Sequence, residues 1–171
     1  SIGHMEGLKS LDNIVKEKAS ICSGQKQKGT AIIPSGIEKF SQLKAKVEAF
    51  GPCLISVGEG EVSDVRISNT EVLNNAITSK ISDLEQNLWN IRLKTAGKHY
   101  MKNAAALLTL VSSLNLELSK AILALQSWSP LAGRGQVLEV KLKASNCNKI
   151  IQLIDESYNA NPSSVRSSLE T

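Results

Sequence analysis

Histidine is nearly missing from this sequence, which holds two copies, and its three cysteines, four prolines and 4% aromatic residues are sparse as well. With only His4 and His99 available, a serine or cysteine triad has few candidates for its base. Cys22, Cys53 and Cys147 are dispersed and form no CxxC pair, which excludes a disulfide framework and a cysteine zinc site. They read as reduced, small hydrophobes in a cytoplasmic compartment. No signal peptide is visible. The longest nearly apolar stretch, residues 104–111, falls far short of the roughly 18 residues that suggest a membrane span. Three motifs are absent too: GxxxxGK[ST], GxGxxG after a strand, and the GxSxG elbow.

What is present is ordinary in amount. The 171 residues are 42% hydrophobic and 21% charged, enough for one domain with a core, or one plus part of another, and too apolar for a disordered chain. Twenty basic residues against sixteen acidic give +4, which suits anionic ligands. The cations are scattered, however, and the aromatics few, so a nucleic-acid-associated domain is disfavoured.

Hydrophobic spacing predicts alternating helices and strands. Leu8, Leu11, Ile14, Val15 and Cys22 make a helical stripe that ends near Gly24. Residues 31–33 read as a short buried strand. Ser35 and Glu38 fit a capping box for a helix carrying Ile37, Phe40, Leu43, Val47 and Phe50 to a Gly51-Pro52 stop. Residues 53–57 are a second buried strand, and strand-helix-strand with short turns predicts a parallel pair. Residues 62–95 read as a small antiparallel meander at the sheet edge. Two helices follow, one over about 101–114 with Ala104, Leu107, Leu108 and Val111 inward, the next using Leu118, Ala121, Ile122 and Leu125. After a domain boundary near 131–135, Leu138, Val140 and Leu142 alternate as a strand, residues 150–154 form a buried strand, and Asn161-Pro162 opens a helix. With Ser1 at the start and Thr171 inside a helical pattern, the chain reads as cut at both ends.

Four polar clusters fall at element ends, where ligands bind in α/β folds. His4 beside Glu6 suits a divalent cation or a phosphate, or is a solvated residue in a cloning remnant; Lys18 nearby is most simply a solvated helix lysine. His99 and Asn103 precede an alanine-rich helix, where Asn103 either reads a base edge or caps the helix. Arg134 between Gly133 and Gly135 either clamps a phosphate or forms an exposed turn. Six of the eight residues 155–162 (DESYNANP) are polar or ionisable, a crowding that capping by Asn161 alone does not explain.

The run from Leu153 through Asp155, Glu156, Tyr158, Asn159 and Asn161 to Ser164 resembles the signature opening the C-terminal domain of Mur ligases, in the branch of the UDP-N-acetylmuramoyl-tripeptide–D-alanyl-D-alanine ligases. Residues 130–136 resemble the Gly-Arg-Gly segment that ends the family's central domain. His99 and Asn103 fit its His-Asn-x-x-Asn-x-x-Ala-Ala helix start, and residues 4–21 resemble its His-Leu-Glu-Gly segment with the following helix. The four segments occur in the family's order and cover essentially the whole chain.

The resemblance implies an α/β fold: part of a Mur ligase central ATPase domain, with a mostly parallel sheet plus the meander, and the start of a Rossmann-like C-terminal domain. Residues 1–136 would be the C-terminal portion of the central domain and 137–171 the truncated start of the next. It implies an ATP- and Mg2+-dependent cytoplasmic amide ligase, monomeric as a whole, joining D-alanyl-D-alanine to UDP-MurNAc-tripeptide through an acyl phosphate. Carried over by position, His4 would be a magnesium ligand and Lys18 the lysine that is carbamylated in the family to help hold metal. Asn103, with His99, would meet adenine. Arg134 would reach the γ-phosphate, Asp155 or Glu156 the ribose, and Tyr158, Asn159 and Asn161 would line the closing cleft. Lys18 and Arg134 are thus the candidate catalytic residues. Tyr100 stands where the family usually has Asn, Glu156 where it has Asp, and Pro34 where Asn is common. Lacking a P-loop motif, the isolated chain is expected to be inactive. The alternative is a non-catalytic binding or complementation module that retains the 157–162 signature for folding.

Overall fold

The computed structural model describes residues 10–25, 29–85, 87–144 and 147–158, and the single positions 165, 166 and 169. Helix α1, Leu11–Ser20, begins where Ser10, in extended conformation, accepts the Asn13 N–H at 3.2 Å on its hydroxyl. Asp12 in its first turn and Lys18 in its last complement the helix dipole. The apolar spacing buries Ile14, Val15 and Ala19, and the helix winds into a 3₁₀ turn, Ile21–Gly24.

Strand β1, Thr30–Pro34, pairs in parallel with β2, Cys53–Gly58, across helix α2, Phe40–Glu48. The expected strand-helix-strand unit is therefore present, but the capping box is not. Ser35 is buried against the sheet instead: its N–H donates to the Val57 carbonyl at 2.9 Å, and its hydroxyl lies 2.6 Å from that of Ser63. With Ser35 so engaged, α2 starts one turn later, after Lys39 in left-handed conformation (φ 66°). Ile37 and Phe50, expected on the apolar stripe, are exposed, whereas Leu43 and Val47 are buried.

The meander is built as read. Strand β3, Val65–Leu73, joins β2 in parallel through Val57↔Val65 and Gly58↔Arg66, then pairs antiparallel with β4, Ala76–Ser82, which pairs with β5, Leu88–Leu93. The sheet order is β1-β2-β3-β4-β5, parallel on one side of β3 and antiparallel on the other. Asp64 ties β2 to the start of β3 by accepting the Ser56 N–H at 2.8 Å and hydroxyl at 2.7 Å. Asn74 and Asn75, both at positive φ, make the two-residue turn between β3 and β4.

Helices α3, Lys98–Ser113, and α4, Leu118–Ser127, follow. Met101, Ala104, Ala105 and Leu108 of α3, with Leu125 of α4, cover Ile77, Ile81, Ile91 and Leu93 of the meander. Leu107, expected inward, lies off the 101-104-105-108 stripe and is 45% exposed. A second cluster packs Val15 and Ala19 of α1 and Leu43 and Val47 of α2 on Ala31 and Ile33.

The last two strands, β6, Gln136–Ala144, and β7, Cys147–Asp155, form an antiparallel hairpin as a sheet of their own. The reading of 150–154 as buried is overturned: Ile150 is 61% exposed, and Ile151, Leu153 and Ile154 are exposed as well. Among the described residues no second layer covers this two-stranded sheet. Asn161-Pro162 lies outside the described residues.

Candidate functional site

Three elements meet where α3 begins. Thr95 Oγ1 accepts the Gly97 N–H at 3.3 Å, and Gly97 caps the helix through its backbone, with no side-chain cap. A Cβ at Gly97 would stand 2.9 Å from Tyr100 Cδ2 and 3.0 Å from His99 Cε1, so glycine lets both rings fold back over the helix start. The His99 and Tyr100 rings are 4.0 Å apart, and Tyr100 lies 5.0 Å from the ring of Trp128, which caps the C-terminus of α4.

Against this aromatic row runs the segment 131–135, closed by backbone bonds. Gly133 and Gly135 both hold left-handed backbone, at φ 77° and 82°, with Arg134 between them. The end of β7 stitches the turn down. Asp155 Oδ2 accepts the Gly133 N–H at 3.0 Å, the Asp155 carbonyl accepts the Gly135 N–H at 2.8 Å, and the Tyr158 N–H donates to Gly133 O at 3.0 Å. The Arg134 guanidinium carbon stands 4.2 Å from the centroid of the Tyr158 ring, a cation–π contact on an exposed surface. The Tyr100 hydroxyl donates to the Arg134 carbonyl.

The electrostatics follow the packing. Hydrogen bonds from Ser157, with a further one from the Gly133 N–H, hold the Asp155 carboxyl below its ordinary range. Burial of the His99 ring lowers its pKa although the residue keeps an open face, and the Glu156 charge opposes this. Burial and the Glu156 charge raise the Tyr100 hydroxyl, while Arg134 opposes them.

Of the residues singled out from sequence, His99, Arg134, Asp155, Glu156 and Tyr158 converge here. Asn103 lies one helical turn beyond His99 and is exposed. It does not cap α3, because the helix starts at Lys98. Lys18 stands apart: it lines cavities between α1, β1 and α2 that share no residue with this cluster. His4, Asn159 and Asn161 lie outside the described residues. Sequence reasoning took Gly97 and Tyr100 only as members of the polar stretch 97–103, without the ring contacts they make, and missed Trp128. Glycine followed at the third position by a ring, just before an apolar helix, was the available signal.

The residues present fit a nucleotide in kind: an exposed guanidinium for phosphate, aromatic faces, a helix turn with an amide, and acidic groups for a sugar. For a divalent cation the described residues contain no gathering of three His, Cys, Asp or Glu side chains.

The sheet that turns from parallel to antiparallel is that of a Mur-type middle domain. Residues 1–111 match the Mur ligase middle domain model, and the chain belongs to that family. It is similar to the UDP-N-acetylmuramoyl-tripeptide–D-alanyl-D-alanine ligase of Buchnera aphidicola subsp. Acyrthosiphon pisum, 29% identical over 98% of this chain and 35% of the relative. The ligase of the same name from Buchnera aphidicola subsp. Baizongia pistaciae is 26% identical over 95% and 33%. Among solved structures, MurF from Acinetobacter baumannii superposes with a TM-score of 0.78 at 25% identity, covering 96% of this chain and 33% of that one. MurF from Thermotoga maritima, solved in complex with ADP, shares the fold at a TM-score of 0.75 and 19% identity, over 98% of this chain and 36% of that one. The chain thus spans about a third of the length of the curated relatives it matches.

Proposed function

We propose that this chain is the nucleotide-holding part of an ATP-dependent ligase that joins D-alanyl-D-alanine to UDP-MurNAc-tripeptide in peptidoglycan precursor synthesis, and so serves cell shape and division from the cytoplasm. The observation that carries the reading is the stitching of Arg134, on its two-glycine turn, to Asp155 at the end of β7, in a chain similar along nearly its whole length to ligases of that name. Residues 1–136 are then the C-terminal portion of the central domain and 137–171 the start of the ligase domain. The separate β6–β7 sheet supports that division.

In this reading Asn103 and His99 meet adenine and Arg134 takes the terminal phosphate. Asp155 spends both oxygens on backbone N–H groups, so Glu156 is the freer carboxylate for the ribose. Tyr158, Asn159 and Asn161 line the cleft. His4 and a carbamylated Lys18 would hold Mg2+, which when bound screens the charge of phosphates and carboxylate. The reaction has the tripeptide carboxylate take the γ-phosphoryl group, the dipeptide amine attack the acyl phosphate, and phosphate leave as the amide forms. Arg134 contributes by neutralising charge on the transferred group.

Two measurements test this. In an amide NMR titration, ADP moves the resonances of His99, Asn103, Arg134 and Glu156; a titration that leaves all four in place sinks the assignment. The isolated chain holds no GxxxxGK[ST] cradle, so with ATP, UDP-MurNAc-tripeptide and D-alanyl-D-alanine it releases no phosphate above background. Substrate-dependent release would refute its dependence on further polypeptide.

A further inference from the structure

Arg134 is flanked by the two residue positions with the widest backbone freedom, and both neighbouring glycines hold positive φ. An arginine so mounted needs its peptide fixed from outside the turn. Asp155 holds the two glycine N–H groups, but these bonds leave the Arg134 carbonyl open. That carbonyl is taken by the Tyr100 hydroxyl. Tyr100 is itself held, its ring between those of His99 and Trp128, with Gly135 close enough that a Cβ there would lie 3.7 Å from Tyr100 Cε2 and its hydroxyl. One side chain thus links the start of α3, the end of α4 and the 133–135 turn.

We propose that Tyr100 is the positioning residue for Arg134, its hydroxyl fixing the Arg134 peptide so that the guanidinium is presented from a set backbone. The role given to Arg134 rests on the ligase reading; the clasp itself does not. Tyr100 touches no reacting group and acts through the arginine.

The acceptor carbonyl belongs to the Arg134–Gly135 peptide bond, which trypsin cuts, and cleavage there reports how often the turn opens. In the full 171-residue chain Tyr100→Phe keeps the ring stack and removes only the donor. Cleavage at Arg134 rises about fivefold, the scale of one lost hydrogen bond, while cleavage at Arg66 and Arg92 is unchanged. The carbonyl carbon resonance of Arg134 moves upfield in the same variant. Tyr100→Ala, which removes ring and donor, opens the turn further. Equal cleavage of Tyr100→Phe and the parent chain, or a rise spread evenly over all three arginines, overturns the proposal. An ADP titration separates the two ideas: if ADP moves no resonance at Arg134 but the clasp variant opens the turn, the nucleotide reading fails and the positioning role stands.

Discussion

His99 and Asp155 answer to protons in the same direction for different reasons. Burial makes the folded imidazole a weaker base than the free side chain, so the unfolded chain takes up the proton first. The stability this gives is complete above the ordinary value of 6.5 and is lost as pH falls through the lower folded value. Asp155 behaves alike further down: its hydrogen bonds favour the carboxylate, and their contribution is lost as pH falls below 3.8. His99→Gln therefore flattens the change in urea midpoint between about pH 7 and about pH 5, and a variant whose midpoint falls as steeply as the parent's contradicts the assignment. Arg134 and the 155–158 run were legible at this scale because chemistry crowded into a short stretch stands out in one dimension. The bond from Tyr100 to the Arg134 carbonyl was not, because the two residues are 34 positions apart and nothing local in the sequence pairs them.

Among the elements, the meander was readable because alternation has a period of two and the 74–75 turn keeps pairing local. The start of α2 was misread for a physical reason. A serine three residues before a glutamate offers the same hydroxyl to a helix or to a neighbouring strand, and here Val57 and Ser63 take it. Ile81 shows what holds β4: it is fully buried between β3 and β5 and belongs to the core that α3 covers. Ile81→Ala should cost about 2–5 kcal/mol in denaturant unfolding. Leu107→Ala, on the open side of α3, should cost well under half of that. Equal losses at the two positions would contradict the packing.

The molecule as a whole is unevenly held. The five-stranded sheet is covered by helices over two buried clusters, whereas β6 and β7 have one partner each and exposed isoleucines and leucine along β7. Two strands alone are marginal in water. Backbone amides of the hairpin therefore exchange with solvent at least about tenfold faster than those of β4, and equal protection in hydrogen-exchange mass spectrometry would refute this. The strand over 150–154 looked buried in sequence because an apolar run records the environment the residues favour, and the described elements do not supply it.

Pro34 closes β1, which is outermost among the described strands of the sheet, and the next residue, Ser35, turns its N–H inward to Val57. Alternation points the Pro34 nitrogen the other way, toward the margin that no described strand pairs with, where it carries no hydrogen to give. A stray strand from another molecule that tried to extend the sheet along this margin would find its ladder broken at that rung. The ring thereby discourages clumping between copies along this margin.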